Sequence, residues 1–211
     1  MKLYNKFLSF FKSKSETQFP ESPWHGSEQF RFDVMNMVKP FLEKGMTIYG
    51  EIAGFANGKP IMPDHSVKAL KSKEFTKKYG DTVRYAYGCK EHEFRFHVYR
   101  ITYLNHAGKN VDMTQKQMEE WCNQRDILCT VEVHPQVVYD GDVEALRNLV
   151  ENLTERPDVL TEDYISPSQV SEGIIVRVDD GKTTPTFYKS KSYAFRVMEG
   201  ICEAVDEETI N

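Results

Sequence analysis

Apolar positions recur along this chain in two rhythms, one of three to four residues and one of two, and together they lay out its elements. Leu3, Phe7 and Phe10/Phe11 stand at helical spacing, which predicts a short amphipathic helix within residues 1–18, broken by Lys12-Ser-Lys-Ser. Phe19-Pro-Glu-Ser-Pro-Trp-His-Gly reads as a loop, its prolines and glycine blocking helix and central strand alike. Phe30, Val34, Met37/Val38 and Phe41 predict a helix over residues 30–43 with that face inward, closed by Gly45. Residues 46–54 read as a strand, 59–64 as a turn-rich connector, and 65–78 as a lysine-rich helix.

Further along, residues 83–87 and 93–104 read as strands, paired as a hairpin through Gly88-Cys-Lys-Glu. Thr114 with Gln117 three residues on forms a capping box and opens a helix over 114–125. A strand near 129–133, a helix over 142–153, strands at 172–179 and 185–191, and a final helix from Ser192 complete the reading. Strands and helices are interspersed without regular β-α-β alternation. That predicts an α+β fold with largely antiparallel sheets rather than a doubly wound one. There are no internal repeats.

Composition narrows the class. At 211 residues and 24.5 kDa, with 13 Phe and 11 Tyr, the chain suits one domain with a packed core and is unlike a disordered polymer. No apolar run approaches the roughly 20 residues that span a bilayer. The basic, apolar start has no small-residue cleavage site of the signal-peptide kind. A soluble, intracellular and cytoplasmic chain is the expectation, with no membrane partner. Cys89, Cys122, Cys129 and Cys202 are widely spaced, which predicts buried free thiols rather than a zinc ribbon or disulfide scaffold. His92-Glu93…His97 spaces its histidines five apart in a strand-like segment, unlike a zinc helix.

The net charge of −5 gives no general argument for a nucleic-acid partner. Its distribution is uneven: seven basic and three acidic residues lie between positions 59 and 84, and five acids with no base between 199 and 208. Lys68, Lys71, Lys73, Lys77, Lys78 and Arg84 form the basic stretch and are the candidate RNA contacts. A lysine-rich helix facing solvent has the same look.

Four segments carry candidate chemistry. Ser171-Glu-Gly-Ile-Ile-Val-Arg-Val-Asp sets Glu172 at the head of a face shared with Ile174, Val176 and Val178, and a buried carboxylate there needs a cation, a metal or several donors. Phe187-Tyr-Lys-Ser-Lys-Ser-Tyr-Ala-Phe projects Lys189 and Lys191 from one strand face, where an intervening phosphate would relieve their repulsion. Lysines on a solvated strand edge serve equally to discourage aggregation. Ile48-Tyr-Gly-Glu-Ile-Ala-Gly places Glu51 among glycines that let a ligand approach the backbone. Phe94-Arg-Phe-His-Val-Tyr-Arg-Ile offers aromatic rings, Tyr99 among them, for stacking on a base. Singly, the last two segments read as core more often than as site.

In this order the four segments resemble the motifs of the covalent nucleotidyltransferases, the superfamily of ligases and capping enzymes. GEIAG, FHVYRI, EGIIVRV and FYKSKSYAF look most like the ATP-dependent RNA ligase branch. The resemblance covers residues 19–205, with 1–18 set apart as a tail and 206–211 as an acidic tail. It implies the ligase and capping-enzyme nucleotidyltransferase fold, and sealing of RNA 5′-phosphate to 3′-hydroxyl ends through an adenylylated intermediate, as in RNA repair. By the same resemblance Glu51 holds the ribose hydroxyls of ATP or AMP, Tyr99 stacks on adenine, Glu172 binds Mg²⁺, and Lys189 and Lys191 contact the α-phosphate. Glu172, Lys189 and Lys191 are thereby the catalytic candidates.

Two departures accompany the resemblance. Arg100 follows Tyr99, where ligases usually carry an acid. The K-x-[DHN]-G nucleophile motif is missing: Trp24-His-Gly follows Pro23, Ala56-Asn-Gly follows Phe55, Tyr139-Asp-Gly follows Val138, and Asp179-Asp-Gly follows Val178. The expectation is an N-terminally incomplete domain whose nucleophile strand comes from another polypeptide. The alternatives are a non-catalytic module that binds nucleotide or RNA, and a DNA ligase or capping enzyme. The last two normally carry an OB domain after the K-x-K motif, for which about twenty residues leave no room here.

Overall fold

In the computed structural model the described residues are 29–130, 132–155 and 171–203. The helix expected within residues 1–18, the loop at 19–26 and the acidic tail lie outside them. In chain order the elements are α1 (Gln29–Val38), β1 (Met46–Ala56), β2 (Lys59–Pro60), β3 (His65–Ser66), α2 (Lys73–Tyr79), β4 (Thr82–Val83), β5 (Phe94–Leu104), β6 (Asn110–Asp112), α3 (Gln115–Asn123), α4 (Val143–Glu155), β7 (Gly173–Val178), β8 (Thr186–Lys191) and α5 (Tyr193–Met198). The pairs β1–β2, β3–β4, β5–β6 and β7–β8 are all antiparallel. The fold is α+β. The chain divides into two compact units, residues 1–51 with 96–129, and 52–95 with 130–211.

In the first unit α1 buries Phe30, Val34 and Val38, one residue per turn along a single stripe. Met37, expected on that stripe, sits at its margin and is 42% exposed. The α-helix also stops earlier than residue 43. Pro40 lacks the N–H that would continue it, and a 3-10 turn at Lys39–Phe41 follows. β6, which the sequence did not announce, pairs with β5 through Thr102 opposite Asp112. Asn105 closes their connection, its side-chain oxygen accepting from the N–H groups of Ala107 and Lys109 at 3.0 and 2.9 Å.

The expected capping box is present at α3. Gln117 N–H donates to Thr114 Oγ1 at 3.2 Å, and Thr114 N–H to Gln117 Oε1 at 2.9 Å. The helix buries Met118, Trp121 and Cys122. The strand expected near 129–133 shrinks to a single bridge between Val98 and Cys129. Just before it, the N–H groups of Arg125 and Ile127 both return to the Cys122 carbonyl in closing α3.

In the second unit the end of β1 turns through Asn57-Gly58 into β2, pairing Ala56 with Lys59. The helix expected over 65–78 is two pieces, a 3-10 turn at Val67–Leu70 and α2. Ser72 divides them because its hydroxyl caps α2, accepting from Phe75 N–H at 3.2 Å. The expected hairpin between 83–87 and 93–104 does not form. β4 pairs with β3, and residues 86–93 are spent on turns, with Cys89 N–H on the Ala86 carbonyl and Glu93 N–H on that of Lys90. Val67, Phe75, Val83, Tyr85, Phe195, Val197 and Met198 form one buried cluster. α4 lies against the β7–β8 hairpin, with Thr154 Oγ1 donating to Ser190 Oγ at 2.8 Å.

Candidate nucleotide and phosphate site

β7 and β8 pair over their full length, Gly173 facing Lys191 and Ile175 facing Lys189. Directly opposed residues share a face, so the two lysines project together from the Gly173/Ile175 face. That much follows their spacing of two. Glu172 departs from expectation. Strict alternation puts it on the Ile174/Val176 face, away from the lysines, yet its carboxylate accepts a bond from Lys189 Nζ at 2.9 Å.

The reason is Gly173. Glu172 stands one residue ahead of the strand, and Gly173 has φ +116°, a left-handed value that breaks the alternation. A Cβ there would lie 2.0 Å from the Ser190 carbonyl oxygen. The glycine of the E-G pair is therefore required by backbone packing within the hairpin.

The second carboxylate oxygen of Glu172 accepts from the Tyr87 hydroxyl at 2.5 Å. Glu172 is thus held at both oxygens, with its side chain 20% exposed beside a Lys189 that is 44% exposed. Lys191 forms a close ion pair with Glu199, which follows α5 directly. Both ammonium groups lie 5.4 Å from the centroid of the buried Phe195 ring. Beneath, Tyr85 packs edge-on against Phe195 at 6.1 Å. Burial pushes the Tyr85 phenol well above its ordinary pKa, and the charges of Glu172 and Glu199 add to the rise.

The first unit holds Glu51, exposed on β1, and Tyr99, half-buried on the neighbouring β5. The glycines near Glu51 do not leave room for a ligand. A Cβ on Gly50 would fall 2.2 Å from the Phe96 ring, and one on Gly54 would fall 2.5 Å from the Glu93 carbonyl oxygen. Both spaces are filled by the protein's own packing. Arg100, in the place of the expected acid, is locked to Asp112 by two bonds of 2.5 and 2.9 Å, and stacks over Tyr49 at 4.9 Å. The hydrogen bond to Asp112 raises the guanidinium's pKa, outweighing its own burial.

The basic stretch divides. Lys68, Lys71, Lys73 and Lys77, with Ser72 and Thr76, line a shallow cleft of about 460 Å³. Lys78 stacks over Tyr79, and Arg84 is forked onto Asp64. Neither lines that cleft. Among the described residues no three His, Cys, Asp or Glu side chains stand close enough to form a metal cluster, and none of the four cysteines is in a disulfide.

With the motif residues placed, the family can be stated. The family model for RNA ligase matches residues 5–193. The chain belongs to the RNA ligase family. Searches of curated proteins and of solved structures gave no match. Membership implies an RNA ligase-type function, with RNA and ATP as substrates. The match takes in Glu51, Tyr99, Glu172, Lys189 and Lys191, and also residues 5–18, which the motif resemblance had left outside as a tail. It ends before Phe195 and Glu199.

Sequence reasoning missed three residues of this cluster. Tyr87 carried no signal, being 85 positions from its partner. Phe195 stands in the quoted FYKSKSYAF segment as an apolar residue without apparent purpose. Glu199 was legible only as the first acid of a run.

Proposed function

We propose that this chain is the nucleotide- and RNA-binding part of an RNA ligase, with the nucleotidyltransferase fold. Glu51 holds the ribose hydroxyls of ATP or AMP and Tyr99 stacks on adenine. Lys189 and Lys191 contact the α-phosphate, neutralising charge as it develops during adenylyl transfer. Glu172 binds Mg²⁺ directly or through water. A single carboxylate suits that cation, which keeps most of its water and takes its remaining ligands from substrate phosphate. When bound, the ion supplies positive charge at the phosphate oxygens.

The observation that carries the reading is the pairing of Glu172 with Lys189 beside Lys191, one carboxylate and two ammonium groups over one ring, in a chain of this family. The cleft lined by Lys68, Lys71, Lys73 and Lys77 takes the RNA backbone. Lys78 and Arg84 are secondary contacts, since neither lines that cleft. The lysine that attacks ATP comes from outside these 211 residues, because no K-x-[DHN]-G occurs within them.

Incubation with α-labelled ATP and Mg²⁺ is expected to show reversible binding without an acid-labile protein–AMP adduct. An efficient adduct would overturn the placing of the nucleophile outside these residues. Absence of binding would overturn the nucleotide site. Charge reversal at Lys71, Lys73 and Lys77 together is expected to weaken RNA binding and flatten its salt dependence by about 0.7 in slope per lysine that contacts a phosphate. Unchanged binding at low salt would remove the cleft from the RNA path.

A further inference from the structure

Glu199 lies outside the four motif segments, and its position is electrostatically unfavourable. It caps the C-terminus of α5, its N–H on the Phe195 carbonyl at 3.0 Å, where helix carbonyls gather negative charge and a cation is preferred. Arg196, in the last turn, has the favoured sign. The Glu199 carboxylate is engaged instead with Lys191, and the two side chains are 32% and 30% exposed.

The two lysines of β8 are thus matched by two glutamates, and the cluster is close to neutral as it stands. A neutral cluster does not attract phosphate, so an incoming anion must replace a carboxylate. The two carboxylates are not equivalent. Glu172 is held by Tyr87 as well as by Lys189. Glu199 has Lys191 as its side-chain partner among the described residues, and both remain within reach of solvent. Phe195 lies under both ammonium groups, so Lys191 keeps its place when its carboxylate leaves.

We propose that Glu199 is the displaceable counter-ion of Lys191, occupying its ammonium until a nucleotide phosphate takes over, and so setting the affinity for the phosphate chain. This rests on the reading of Lys191 as a phosphate contact. In the free state Glu199 suppresses capture of weakly charged anions. A phosphate with more charge than a carboxylate competes for the same ammonium.

The test is calorimetric titration of ATP with Mg²⁺ into the wild-type chain, E199Q, K191M and the double variant, with thermal unfolding to show that each is folded. E199A replaces E199Q if the latter does not fold. E199Q is expected to bind ATP roughly fivefold more tightly, the worth of one partly exposed ion pair. K191M is expected to bind more weakly, and E199Q should add nothing in its presence. Unchanged or weaker binding by E199Q, with K191M still weakened, would overturn the role of Glu199 and leave the phosphate reading standing. Equal tightening with and without Lys191 would mark a through-space charge effect and overturn it too. If K191M binds like wild type, or no variant binds ATP, the phosphate reading itself falls and the inference with it.

Discussion

Each unit carries a cation paired with a carboxylate beside a motif residue, and the two pairs are built to different ends. In the first unit Arg100 grips Asp112 through two parallel bonds, over the Tyr49 ring, with the Asp112 side chain only 1% exposed. In the second, Lys189 meets Glu172 through one bond, partly open to water. A planar fork in a dry site is a fixed joint. A single ammonium at a wet edge is an exchangeable contact. Arg100, which follows Tyr99, therefore reinforces the sheet, while Lys189 meets its carboxylate at a solvent-exposed edge.

The largest expected effect breaks the joint. Asp112→Ala leaves the Arg100 guanidinium without its carboxylate in a mostly buried place, and is expected to cost roughly 3 kcal/mol of stability. Urea denaturation measures it; a loss below about 1 kcal/mol would put the pair in the same class as a surface contact. Next comes the exchangeable pair. Lys189→Met is expected to change stability by less than about 1 kcal/mol while weakening ATP binding by at least about tenfold, since hydrogen bonds to charged groups are worth roughly 1.5–3 kcal/mol. Loss of stability with binding intact would reverse the comparison.

The smallest effect extends the series to its exposed end. Lys68 pairs with Asp81 at 2.8 Å, with 69% and 58% of the two side chains exposed. Asp81→Ala is expected to leave stability within about 0.5 kcal/mol. It frees one lysine of the cleft, so the salt dependence of RNA binding should steepen by about 0.7 in slope. A stability loss like that of Asp112→Ala would show that exposure does not rank these pairs.

What could be read from the sequence was what depends on near neighbours. The capping box at Thr114 closes over three residues, and the shared face of Lys189 and Lys191 needs only the two-residue period of a strand. The α+β class followed from the order of such elements. Misreadings arose wherever a distant or conformational partner decided. The lysine-rich helix broke because Ser72 found a capping role, and the hairpin at 83–87 was lost to pairing with β3. Glu172 was legible as a carboxylate at the head of a strand, but its face was not, because the left-handed turn at Gly173 is invisible to a period-two pattern. Its second partner, Tyr87, is joined to it by folding alone.

The packing of Phe96 against Gly50 has a consequence for how the chain finds its register. Adjacent strands can slide by one residue at little cost when their side chains are forgiving. Here the ring fills the space of a missing carbon, and a slip would bring Tyr49 or Glu51 to that spot, where neither fits. One absent methyl group thus acts as an alignment pin during assembly. It sets the height at which the next residue, Glu51, emerges from the sheet before any ligand is there to select it.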